Sequence, residues 1–114
     1  MNSLFKNIQI NQLSGRLRQI AGTPNVLSMQ FSAVDVAGIR ESIITIANEC
    51  KADDPQIARQ LLAAKDILFA VNQFGQAFIN PYAIGEILFG LDYLAAKGQA
   101  PSAEKQTTAE IWSY

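Results

Sequence analysis

Between Asp35 and Lys51, the apolar residues Val36, Ile39, Ile43, Ile46 and Cys50 step by threes and fours, with Ile44 and Ala47 beside them. That spacing is one face of an α-helix, and it predicts a helix over 34–51. From Pro55 a second series runs Ile57, Leu61, Ala64, Leu68, Val71, widened by Leu62 and Phe69. It predicts a helix over 55–75 that fades near Gly75. A third series, Ile84, Ile87, Leu88, Leu91 and Leu94, predicts a helix over 81–97. The N-terminal stretch is less regular. Leu4, Phe5, Ile8, Leu13, Leu17 and Ile20 suit a helix over 3–21, although Ile8 and Ile10 alternate with polar residues as in a strand. Gly15 inside that span costs a helix about 1 kcal/mol relative to alanine. Met29, Phe31 and Ala33 also alternate, which predicts an extended segment lying across the helices.

Punctuation supports these boundaries. Asp54-Pro55 and Asn80-Pro81 place a capping side chain before a proline, which has no N–H to leave unsatisfied in a first helical turn. Lys97-Gly98 closes the last helix with a cation in its final turn and a glycine behind it. Lys51 to Asp54 is a short connection of the kind that joins antiparallel neighbours. The expected fold is therefore all-α, with about four helices in a bundle or an orthogonal helical domain. It would span 1–98 as a single domain, followed by a flexible tail over 99–114 in which Thr107 to Glu110 has capping-box spacing.

One stretch changes the picture. Ile67 to Gly85 is a run of 19 residues without a charged side chain. A helix apolar nearly all round must be covered by a core, a partner or a membrane. About 20 apolar residues cross a bilayer, but this run contains Asn72, Gln73, Gln76, Asn80 and Pro81, so no membrane span is expected. Charged residues are only 17% of the chain and the net charge is -1. Soluble domains carry about 25% charged residues, and the deficit points to apolar surface that another chain covers.

Chemistry-bearing residues are scarce. There is no histidine and one cysteine, Cys50, which argues against acid-base catalysis near neutral pH, a disulfide or a Cys/His metal cage. A lone cysteine fits a reducing, cytoplasmic setting. No signal peptide is expected, because Asn7, Gln9, Asn11 and Gln12 interrupt any apolar stretch after Lys6. Gly85-x4-Gly90 matches neither a P-loop nor a dinucleotide fingerprint. No catalytic group, cofactor or metal is expected, and the chain reads as a non-enzyme.

Two kinds of partner remain. The aromatic series Phe69, Phe74, Phe78, Tyr82, Phe89, Tyr93 suits core packing or a pocket, and Phe74, Phe78 and Tyr82 are the expected partner-binding residues, because they flank the break between two helices. The expected function is a protein–protein interaction module, such as an adaptor, inhibitor or assembly subunit, that self-associates as a homo-oligomer. The alternative is a DNA-associated regulator. Lys6, Arg16 and Arg18 precede the first acid, so the first 34 residues carry +3, a footprint for phosphates or an acidic partner. Ile57-Ala58-Arg59-Gln60-Leu61 resembles the opening of a helix-turn-helix, but the glycine turn and a polar recognition helix do not follow. A structural subunit of a secretion or phage-like assembly would leave much the same pattern.

Overall fold

The computed structural model describes residues 3–99, with side chains from Asn7 to Lys97. Its elements are α1 (Ser3–Ala21), a 3-10 turn (Val26–Ser28), α2 (Ala33–Cys50), α3 (Pro55–Leu68), β1 (Phe69–Val71), β2 (Ala77–Ile79) and α4 (Pro81–Gln99). The four helices pack against one another, as the all-α pattern requires. Each helix rests on the next in sequence, and α4 closes the ring against α1; the α1–α2 contact is the slightest.

Each helix contributes one stripe to a common interior. Ile10, Leu13, Leu17 and Ile20 come from α1, and Val36, Ile39, Ile43, Ile46 and Cys50 from α2. From α3 come Leu61 and Leu68, and from α4 Ile84, Ile87, Leu91 and Leu94. The strand-like alternation at Ile8 and Ile10 is real in burial, since Ile10 is buried and Ile8 exposed. It arises on a helix, where two residues separate by about 200°. Among the described residues no polar or charged residue is buried, and no helix is long and apolar enough to cross a membrane.

The uncharged run is where the structure departs from the pattern. The predicted helix over 55–75 stops at Leu68, and Phe69 turns to extended backbone (φ -122°, ψ 138°). The chain then forms an antiparallel hairpin, pairing Phe69 with Ile79, Ala70 with Phe78 and Val71 with Ala77. Asn72 organises its turn. Its Oδ1 accepts from the N–H groups of Phe74 (2.9 Å) and Gln76 (3.0 Å), and Gly75 N–H donates to Asn72 O (3.0 Å). Gly75 has φ 79°, so the loop is a turn followed by a left-handed glycine, a three-residue hairpin connection. A hairpin pairs the backbone of this apolar segment, which a broken helix would leave unsatisfied. The stretch that would follow the helix-turn-helix-like opening, Lys65 to Asn72, thus runs from helix into strand and turn.

The expected extended segment over Met29, Phe31 and Ala33 forms only in part: Met29 is extended and Phe31 bridges to the hairpin, but Ala33 already begins α2. Phe31 bridges to Ala77 and donates its N–H to Ala77 O at 3.0 Å, so it lies beside β2 as a single bridged residue. Its ring meets Phe69 edge-on, with centroids 5.3 Å apart.

The two proline caps behave differently. Asn80 Oδ1 accepts from Tyr82 N–H at 3.0 Å, while Asn80 N–H and Nδ2 donate to Leu68 O and Ile67 O. Asn80 therefore caps α4 and pins it to the end of α3. Asp54 makes no such cap bond, because its backbone (φ -135°, ψ 66°) leaves the usual cap conformation. Its carboxylate instead accepts from Lys97 Nζ at 2.8 Å, joining the start of α3 to the end of α4. The expected tail over 99–114 lies outside the described residues, apart from Gln99 at the end of α4.

Candidate functional site

Because no polar or charged residue is buried among the described residues, the candidate sites lie on the surface. Helix α4 carries the largest departure from an ordinary one. Ile84, Ile87, Leu91 and Leu94 face inward, and Gly90 seats against Leu61. At about 100° per residue, Tyr82, Phe89 and Tyr93 project together from the opposite side. They are 68, 63 and 46% exposed. Gly85 belongs to the same side, and no atom stands within 4 Å of where its Cβ would be. The result is an aromatic face with a gap in it. Glu86 borders it on the α3 side, where its carbonyl accepts from Gln60 Nε2 at 3.0 Å. Asp92 borders it on the α1 side.

The three expected partner-binding residues are dispersed. Phe74 stands at the hairpin tip, 77% exposed, and Tyr82 on the first turn of α4. Phe78 sits between them in β2, half-buried, opposite the buried faces of Ala77 and Ile79. A three-residue strand rises about 10 Å, so Phe74 and Tyr82 do not form one patch. Phe89 and Tyr93, which the aromatic series offered as core packing or a pocket lining, are instead exposed. Their signal was available: the spacing 82, 89, 93 repeats one side of a helix whose other side already holds the core stripe.

The basic segment is engaged within the chain. Arg18 Nη2 reaches both carboxylate oxygens of Asp92 at 2.7 Å, and Arg16 lies 3.5 Å from Asp35. Both pairs are about half exposed, so they add little stability, but they occupy the charges a phosphate would need. Lys6 lies in α1, and its side chain is outside the described residues.

Two grooves flank α2. One, of about 400 Å³ between α1 and α2, is lined by Gln9, Gln12, Arg16, Glu41, Ser42 and Thr45. Gln9 Oε1, on its wall, is buried without a hydrogen-bond partner. The other, of about 440 Å³, lies between α2 and the hairpin and is largely apolar. Cys50 is buried, with its thiol 3.6 Å from Ala47 O, and fills a small gap in α2. No group of three His, Cys, Asp or Glu residues suited to a metal occurs among the described residues.

Comparison with protein-family models, curated proteins and solved structures finds no match. Function has to be argued from the surface itself.

Proposed function

We propose that the chain is a non-enzymatic protein–protein interaction module that self-associates, and that its contact surface is the aromatic face of α4. The observation that carries this reading is the alignment of Tyr82, Phe89 and Tyr93 on one side of a rigid helix. Aromatic rings gain much on burial and order few torsions. At these exposures, rings of about 200 Å² each offer about 350 Å², against about 800 Å² that each partner contributes to a stable interface. The face supplies close to half of the need before its borders are counted.

Its pattern favours a second copy as the partner. In a two-fold contact, residue i meets residue j and j meets i. If two α4 helices lie antiparallel about an axis beside Ile87, Phe89 faces the gap at Gly85 of the other copy, and Tyr82 faces Tyr93. Phe89 then fills the gap at Gly85, and the two tyrosines stack at either end. Sedimentation equilibrium of the full chain at micromolar concentration tests this reading. A dimer or larger species is expected, and a monomer at the mass of one chain rejects it. The nucleic-acid alternative loses support from the Arg16–Asp35 and Arg18–Asp92 pairs.

A further inference from the structure

The groove between α2 and the hairpin has a composition that the self-association surface does not explain. Phe31, Val36, Ala37, Val71 and Ala77 make its walls apolar, and Val71 is 59% exposed. One cation stands in it. Arg40 is half-buried, and its guanidinium carbon lies 5.8 Å from the centroid of the Phe69 ring. A cation over a ring face is held by the ring's quadrupole without using any of the guanidinium's N–H donors as a hydrogen bond to oxygen. The ion pairs among the described residues involve Arg16, Arg18, Lys65 and Lys97, and no acceptor engages the Arg40 fork among those residues. Arg16 and Arg18, by contrast, each meet a carboxylate.

An apolar cleft of several hundred Å³ with one oriented polar group is the usual form of a small-molecule site. Here that group is a planar double donor, whose matching acceptor is a carboxylate. We propose that this groove binds a small amphipathic carboxylic acid, a medium-chain fatty acid or an aryl-substituted alkanoic acid. The carboxylate pairs with Arg40, and the apolar tail lies along Val36, Ala37 and Val71. Glu41, at the rim of the same groove, opposes an anion and keeps binding modest. Helix α2 packs on α1 and α3 and lies across the ring from α4, so the groove and the aromatic face are separate surfaces. Either can fail without the other.

Isothermal titration of the full chain with decanoate and with decanol compares one tail with and without its charge. Decanoate binding at least about tenfold tighter than decanol is expected, about 1.4 kcal/mol. Arg40→Gln should bring decanoate down to the decanol level, and Glu41→Gln should tighten decanoate alone. Ala37→Trp, filling the groove, should remove both. In amide spectra of the unmodified chain, decanoate should shift Val36, Ala37, Val71 and Ala77. Equal affinities for the two probes, no binding at millimolar decanoate, an unchanged Arg40→Gln variant, or shifts confined to Tyr82, Phe89 and Tyr93 would each overturn the proposal. Groove resonances that move on dilution without ligand would show instead that another copy of the chain sits there.

Discussion

Two glycines show how position decides the effect of one methyl group. Gly15 lies inside α1 with nothing within 4 Å of its would-be Cβ. Gly15→Ala should therefore recover the helix propensity that glycine forfeits and stabilise the fold by about 0.5–1 kcal/mol. Gly90 gains the same propensity, but its Cβ would meet Leu61 Cδ2 at 3.0 Å and Leu61 Cγ at 3.4 Å. Leu61 is wholly buried, so it can give way only by displacing its core neighbours. Overpacking costs about 1–3 kcal/mol, so Gly90→Ala should destabilise by about 1 kcal/mol net. Urea melts of the two variants should move in opposite directions, and a shared direction would mean that α3 and α4 are not in close contact at Gly90. Deletions in the core set the upper scale. Leu68→Ala and Leu91→Ala, each at a wholly buried position, should cost about 2–5 kcal/mol in the same melts.

Helices were legible in the sequence wherever a long periodic stripe met a clear terminator. The stripes of α2 and α4 and the prolines at 55 and 81 fix those elements to within about two residues. The hairpin was not legible, because Leu68 and Val71 continue the helical spacing of α3. What ends that helix is the Asn72 turn and the pairing of β1 with β2, whose partners lie up to ten residues apart. Arg40 was equally hidden, since its neighbours Phe69, Val71 and Ala77 are brought to it only by the fold. The Asp54–Lys97 tie is a third case. Lys97 is held above its ordinary 10.5, first by its hydrogen bond to Asp54; burial opposes this, and the charges of Asp54, Tyr93 and Asp53 add to it. A raised folded-state value means that the tie contributes fully below the unfolded value and is lost as pH rises through the folded one. The melting temperature of the native chain should exceed that of Lys97→Gln near neutral pH, and the gap should narrow as pH passes 10.5. A gap that persists into strong alkali would show that Lys97 acts through its aliphatic stem alone.

At the scale of the whole molecule, the low charge content and the placement of apolar surface make one argument. The interior absorbs most of the leucines and isoleucines, and what remains outside includes Phe74, Tyr82, Phe89 and Tyr93. Scattered exposed apolar residues are normal on any protein; aligned ones are not. The aligned set on α4 makes a prediction that separates a specific contact from general stickiness. Phe89→Ala should weaken self-association by more than about 1 kcal/mol, as expected for a central aromatic anchor, and leave the monomer's melting temperature nearly unchanged, because the ring touches solvent rather than core. Gly85→Leu should weaken it as much by filling the gap that Phe89 of the second copy enters, although the substitution adds apolar surface. Phe74→Ala, at the hairpin tip and away from this face, should have little effect. If association were non-specific, adding leucine would strengthen it, and the loss at Phe89 would match the loss at Phe74. Sedimentation velocity across a dilution series reads all three variants. Opposite signs for Gly85→Leu and Phe89→Ala would reject the two-fold packing while leaving open which other face joins the copies. Because contacts between apolar faces depend little on ionic strength, the association should also hold from low salt to well above physiological salt. A dimer that dissolves on adding salt would instead be held by charges, and the Arg16–Asp35 and Arg18–Asp92 pairs would then be the place to look for an exchange between copies.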